Sequence, residues 1–272
     1  MTAFGAFLIV AGSLLALVAA VGVVRFDTTL ARLHAASKPA TLGMALAVAG
    51  AAMVNRSIQL AEVALMVVLF QFLTTPIAGH MVGRAAYLSG NAPGLDPDEL
   101  STAPSARLSV LKGARAPRLL VAATVVVVWM LLWRDLSFGA LVGGLLVATV
   151  LLGPRLGAAT LPVETIRLVP ALRFLVWYVW DLLRANTLVA WEVVTPNNDD
   201  IREAIVEVEI RTPALIPLVA NAITFTPGTL TVDVGTEGDT LFVHVLHFRE
   251  VEAVRRSILE LERRAQAAFA AS

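Results

Sequence analysis

A chain of 272 residues in which 57% are apolar and only 15% are charged departs from a soluble domain, where roughly 45–50% and about 25% are usual, and points to a membrane protein. Its 21 basic and 21 acidic groups balance, which excludes a polycation built for nucleic acid and an acidic disordered tail. With no cysteine and four histidines, disulfides, iron–sulfur ligation, cysteine-based zinc sites and a catalytic thiol are excluded.

Residues 1–24 carry no charge, and about 20 residues at about 1.5 Å rise cross a hydrocarbon core roughly 30 Å thick. No basic residue precedes Arg25, so the run is expected to be a retained span rather than a cleaved signal. Uncharged runs follow at 39–55, 63–83, 119–133 and 136–154, which makes five expected spans. The short fourth is extended by Trp129 and Trp133 at headgroup level and by snorkelling of Arg118 and Arg134. Arg25, Arg32 and Lys38 lie in the first loop, and Arg84, Arg107, Lys112, Arg115 and Arg118 follow span three. The positive-inside rule therefore places the N-terminus outside and the C-terminus in the cytoplasm. Small residues recur every four positions: Gly12, Ala16 and Ala20; Gly43, Ala47 and Ala51; Gly139 and Gly143. Such stripes let helices approach closely in lipid.

Between spans three and four, residues 85–117 hold Gly90, Pro93, Gly94, Pro97, Pro104, Gly113 and Pro117, the composition of a linker between two membrane modules. At 168–194 an apolar, aromatic run is interrupted by Arg173, Asp181, Arg184 and Glu192, which share one helical arc. An amphipathic helix along the cytoplasmic interface is expected, its tryptophans in the membrane, with a sixth span as the rival.

After Pro196 a soluble pattern begins. Residues 204–210 alternate as a half-buried strand, 215–223 suit a short helix, 229–234 and 240–246 flank a turn as a hairpin, and 249–268 form a helix with Glu252–Arg256 and Glu260–Arg264 pairs. The fold class is thus an α-helical polytopic membrane protein with a small C-terminal cytoplasmic α/β sandwich of order β-α-β-β-α. The modules run 1–84 (three spans), 85–117 (linker), 118–196 (two spans and the amphipathic helix) and 197–272 (cytoplasmic domain).

Ionisable groups inside spans are expensive, so they are candidates for function. Glu62, near the outer end of span three, is the best acidic candidate for touching a cation, against a plain interfacial position. Thr74, Thr75 and Pro76 are expected to break the bonding of span three, leaving carbonyls and hydroxyls for a hard cation or simply a kink. His80 follows near the cytoplasmic end, where bonding a neighbour is the simpler reading. His244 and His247, three apart on a strand, point to opposite faces, so a metal pair is not expected. No nucleotide-binding loop, nucleophile elbow or zincin motif is present, so neither an enzyme, a cofactor nor a catalytic or metal site is expected.

Two segments carry a family signature. RFDTTLARLHAASKPATLG at 25–43 with FLTTPIAGHMVGRAAYLSG at 72–90 closely resembles the G subunit of Mrp-type multisubunit Na⁺/H⁺ antiporters. NAITFTPGTLTVDV at 221–234 with LFVHVLH at 241–247 resembles the E subunit, a likeness extending over about 118–265. These subunits are normally separate polypeptides, so the chain looks like a fusion. The resemblance implies an accessory, non-enzymatic subunit in the bacterial plasma membrane. It would assemble with large complex-I-like subunits, other small subunits and lipid, with Na⁺ and H⁺ as the transported ions, no nucleic acid, and a share in the Na⁺ path as the sharper reading. Within the matched motifs, Asp27, Arg32, His34 and Lys38 are assigned local salt bridging and anchoring at the cytoplasmic face. Proton relay through His34 is the sharper alternative. Thr226, Pro227, Gly228 and Thr229 are assigned a turn tied by a threonine hydroxyl and docking against another subunit. The alternative from a different class is a membrane-anchored scaffold or sensor whose tail binds a soluble partner. Charge sorts by module: residues 1–196 hold 14 basic and 9 acidic groups and residues 197–272 hold 7 and 12, so a basic membrane portion carries an acidic domain.

Overall fold

The structure, a computed structural model, describes residues 2–103, 118–133, 137–152, 163–195, 201–235 and 238–271. Among these, three helices are long and apolar enough to cross a membrane: α1 (Thr2–Arg25), α2 (Thr29–Asn55) and α3 (Ile58–Leu88). Ser57 caps α3 by accepting from the Leu60 amide, and Thr28 caps α2 by accepting from the Ala31 amide. Each cap satisfies a donor that the first helical turn leaves open. Turns of two or three residues make the three helices antiparallel neighbours.

The seam between α1 and α2 follows a different spacing from the expected one. Gly5, Gly12 and Ala19 are buried on α1, and Gly43 and Gly50 on α2, while Ala20 is exposed. Seven residues return a helix to nearly the same direction, about 20° short, whereas steps of four drift by about 40° each. A shallow, long contact therefore selects the heptad-spaced residues. A methyl group on Gly12 would lie 2.3 Å from the Gly43 carbonyl oxygen, and one on Gly50 would lie 2.5 Å from that of Gly5. In the later helices Gly143 instead faces the indole of Trp129, 2.9 Å from where its Cβ would stand.

A short turn of helix, α4 (Glu99–Thr102), follows α3. The fourth and fifth expected spans appear as α5 (Arg118–Trp133) and α6 (Phe138–Leu152), of 16 and 15 residues. Three helices among the described residues are thus full-length, and the two expected later spans coincide with α5 and α6; Arg134 lies outside the described residues.

Strand β1 (Val163–Ile166) precedes α7 (Leu168–Val194), which coincides with the predicted amphipathic helix. Large apolar side chains including Leu172, Val176, Trp180, Leu183 and Trp191 are exposed along one side of α7. Trp177 departs from the expectation that the tryptophans face lipid. It packs with Phe174 and Tyr178 on the core of the C-terminal domain, and the Arg264 guanidinium sits 4.5 Å over its ring.

The domain contains β2 (Ala204–Glu209), α8 (Ile216–Phe225), β3 (Thr229–Val234), β4 (Thr240–Val245), α9 (Val251–Ala268) and β5 (Phe269–Ala271). The predicted order β-α-β-β-α is found, with an antiparallel sheet of strand order β2-β4-β3 and an added two-stranded pairing of β1 with β5. Residues 236 and 237 of the expected turn lie outside the described residues. On α9 Arg264 meets Glu260 at 2.6 Å as expected. Glu252, however, pairs with Arg255 at 2.9 Å rather than with Arg256; Arg255 also reaches Glu99, and Arg256 turns to the Glu252 carbonyl at 3.2 Å.

The sheet is covered on both faces. Val206, Val208, Leu241, Val243 and Val245 face α8 and α9, whereas Ile205, Val232 and Phe242 face Tyr87, Leu95, Leu100 and Ala103. The segment after α3 is thus docked on the sheet: the Asp96 amide donates to the Glu203 carbonyl at 3.0 Å and the Ile205 amide to the Pro97 carbonyl at 2.8 Å. Residues 104–117 of the expected linker lie outside the described residues. The domain sits where α1 ends, α2 begins and α3 ends.

Candidate functional site

The predicted residues divide between two places. Glu62 stands half-buried one turn into α3, at the end of the helix opposite the domain. Thr74 and Thr75 line an open cleft of about 420 Å³ between α2 and α3, together with Ser37, Thr41 and Gln71. The expected break at Pro76 is absent: α3 runs unbroken from Ile58 to Leu88. Proline removes one backbone donor, and the hydroxyls stay within the helix, Thr74 donating to the Phe70 carbonyl at 2.7 Å and Thr75 to Gln71 Oε1 at 2.8 Å.

The other residues converge where the domain meets the helices. Asp27 and Arg32 are exposed, and Arg32 donates to the Phe26 carbonyl at 2.6 Å. His34 and Lys38 do not make the local salt bridges assigned to them. Leu30, Ala31, His34, Ala35 and Lys38 fall on one helical face, and that face is buried under the domain, with His34 and Lys38 at 1% and 4% exposure. Lys38 Nζ donates to His34 Nδ1 at 2.7 Å and also to the Thr229 carbonyl. His34 Nε2 lies 2.9 Å from His244 Nδ1, His244 Nε2 lies 2.9 Å from Glu203 Oε2, and Thr28 donates to Glu203 Oε1 at 2.5 Å. The two imidazoles are 5.1 Å apart at 17° between planes, an edge-to-edge N–H···N arrangement rather than a face-on stack.

Neighbouring contacts hold this line in place. His80 Nδ1 donates to the Thr231 carbonyl at 2.6 Å and its Nε2 lies 3.4 Å from the Thr224 hydroxyl. Arg84 pairs with Asp233. His247 lies past the end of β4 and pairs with Glu192 on α7. In the turn, Thr229 donates to the Ile223 carbonyl at 2.8 Å and Thr226 to the Ala222 carbonyl at 3.0 Å. Gly228 there holds φ at 87°, a conformation open to glycine, and its carbonyl accepts from the Leu246 amide at 2.8 Å. This threonine turn meets α2 of the same chain through Lys38. Glu203, Thr28 and Asn186 escaped sequence reasoning, because each acquires its role from a partner on a distant segment.

Burial lowers the His244 pKa, against the opposing pull of Glu203. The imidazole is therefore neutral in the folded chain and takes up a proton on unfolding below its ordinary value of about 6.5. Stability conferred by this site is present above about pH 6.5 and falls as the pH drops beneath it. Thermal unfolding of the full chain in lipid between about pH 7.5 and 5.5 is expected to show this loss, and His244→Gln is expected to flatten it.

Known proteins match these same segments. The family model described as MNHE, Na⁺/H⁺ ion antiporter subunit, matches residues 122–268, more than half of the chain. The model PhaG/MnhG/YufB, Na⁺/H⁺ antiporter subunit, matches residues 8–87. Similar relatives include the mnhG2 antiporter protein of Staphylococcus saprophyticus, 36% identical over 31% of this chain and 59% of the relative. The G1 subunit of a Na⁺/H⁺ antiporter of that species is 37% identical over 29% and 70%, and the G subunit of the Na⁺/H⁺ antiporter of Alkalihalophilus pseudofirmus is 40% identical over 29% and 68%. The chain thus spans about 59–70% of the length of these curated relatives. A chain in the structure of the Mrp complex from Dietzia sp. is 26% identical at a TM-score of 0.30, covering 35% of this chain and 91% of that one. The chain belongs to the MnhE family of Na⁺/H⁺ ion antiporter subunits and carries it behind a G-type antiporter module, as a G–E fusion.

Proposed function

We propose that this chain is an accessory subunit of an Mrp-type multisubunit Na⁺/H⁺ antiporter in the bacterial plasma membrane, where it joins the G and E roles in one polypeptide and holds them as a single docked unit. The observation that carries this reading is the succession of the two family matches, 8–87 then 122–268, together with the burial of the G-type motif residues His34 and Lys38 against the E-type domain. The basic loops favour an N-terminus outside and the domain in the cytoplasm. The chain is non-enzymatic and takes no cofactor in this reading; its partners are the large complex-I-like subunits, other small membrane subunits and lipid. Glu62 and the cleft at Thr74 and Thr75 are its contribution to the Na⁺ path, the cleft offering the oxygen ligands that a hard cation selects.

In cells stripped of their own antiporters, this chain together with its companion subunits is expected to restore Na⁺ tolerance and Na⁺-driven proton movement in membrane vesicles, and the chain alone is not. Exchange by the chain alone contradicts the accessory role.

A further inference from the structure

We propose that Lys38, His34, His244 and Glu203 form a proton relay, running from a small cavity between α2, α3 and α7 to the edge of the domain at Thr28. The geometry is continuous. Successive separations of 2.7, 2.9 and 2.9 Å are all hydrogen-bond distances, and all four side chains are buried, none more than 8% exposed.

Each end reaches toward water: Glu203 keeps 8% of its surface exposed and can give its proton up there. Thr28, which holds the far carboxylate oxygen, is only half-buried. At the other end Lys38 lines a cavity of about 40 Å³ with Gln71 and Asn186. The buried Asn186 Oδ1 has no hydrogen-bond partner among the described residues. An ammonium has three donors; His34 and the Thr229 carbonyl take two, which leaves the third for this cavity. Such a volume holds a water molecule, and one placed there can accept from Lys38 and donate to Asn186.

The line has two complete hydrogen-bonding states. In the first, Lys38 is an ammonium and Glu203 a carboxylate; each imidazole accepts at Nδ1 and donates from Nε2. In the second, one Nζ–H bond of Lys38 has broken and a His34 Nδ1–H bond has formed. The His34 Nε2–H bond has given way to His244 Nδ1–H, and the His244 Nε2–H bond to Glu203 Oε2–H. One proton leaves Lys38, one arrives on Glu203, and both imidazoles stay neutral in the opposite tautomer. Every bond persists with its direction reversed, so neither state leaves a buried donor or acceptor unpaired. Passage also exchanges a separated buried charge pair for two neutral groups, which offsets the desolvation that would otherwise oppose moving a charge here.

The other charged groups facing the line are engaged elsewhere. On α3 Arg84 is paired with Asp233 of β3, and His80 is held by Thr231 and Thr224. His247 is paired with Glu192 of α7, and Arg25 of α1 donates to the Val193 carbonyl at 2.6 Å.

The use of this relay in transport rests on the antiporter reading; the relay itself does not. In the full chain in lipid bilayers, isotope-labelled histidine spectra are expected to show both tautomers of His34 and of His244, with populations that change together with temperature, in step with a protonated-carboxyl infrared band that Glu203→Gln removes. Either imidazole locked in one tautomer, or Glu203 ionised throughout, overturns the relay, and this measurement needs no variant of the imidazoles to fold. In the assembled complex, Lys38→Arg keeps charge and donors but cannot release a proton, and His34→Gln bonds without passing one on. Each is expected to lower proton movement about a hundredfold with the complex intact, while Glu252→Gln, which loses only an exposed pair with Arg255 on α9, stays within about twofold of wild type. Near-normal proton movement in an intact Lys38→Arg complex overturns the proposal. Absence of exchange in the wild-type complex counts against the antiporter reading alone, since the tautomer coupling is read separately.

Discussion

Gly12→Leu is expected to remove most of the assembled protein from the membrane. A methyl at that position would already stand 2.3 Å from the Gly43 carbonyl oxygen and 2.7 Å from the Ala47 amide nitrogen, and these are backbone atoms of a regular helix, unable to swing aside. Overpacking of this kind costs about 3 kcal/mol or more, on the order of a hundredfold in the paired population. Because lipid is as apolar as the side chains, close van der Waals fit is what holds α1 to α2, so the lost contact has no substitute. The same replacement at Gly139, whose Cβ would meet, among the described residues, only Ser137 Oγ at 3.7 Å, is expected to leave the amount of assembled protein unchanged. Quantifying full-length chain in purified complex checks both.

Asp233→Arg is expected to release the domain from α3. The ion pair of Arg84 with Asp233 is largely screened from water, with side-chain exposures of 19% and 13%. Breaking one partner of a buried pair costs about 3 kcal/mol or more, and here the replacement also sets two guanidinium groups face to face. The double variant Arg84→Asp with Asp233→Arg restores opposite charge and is expected to recover most of the docking, which a mere loss of domain folding would not allow. Protease accessibility of the domain in the detergent-solubilised complex reports the difference.

Much of the fold was legible in local pattern. The charge-free run before Arg25, the arc of Arg173, Asp181, Arg184 and Glu192, and the alternation at 204–210 each encode an element through the period of burial. What local pattern cannot express is pairing between distant segments. Strand β1 meets β5 from the far end of the chain, and four and three residues are too few to announce a strand. Trp177 reads as a membrane anchor beside Trp180 until α9 supplies Arg264. Pro76 reads as a break, yet the helix accommodates it, as α2 accommodates Pro39. Heptad spacing at Gly5 and Gly12 was hidden among alanines that fit a step of four equally well. The candidate site was half visible for the same reason. His34 and Lys38 stand in a recognisable motif, but Glu203 is one acidic residue among several near a strand start, and only the docked domain brings it to His244.

Docking of the E-type domain on the G-type helices is what assembles the buried line, and the absence of cysteine makes it directly measurable. A Cβ on Gly83 would lie 3.7 Å from Leu230 Cγ, the atom whose place a cysteine sulfur at 230 would take, so two cysteines here bring their sulfurs close enough to be joined. With Gly83→Cys and Leu230→Cys in the full chain within its complex, mild oxidation followed by cleavage between the modules is predicted to leave the two fragments joined under denaturing, non-reducing conditions, and a Gly83→Cys, Glu252→Cys pair to leave them separate. Fragments of the first pair that separate after oxidation would contradict the docking.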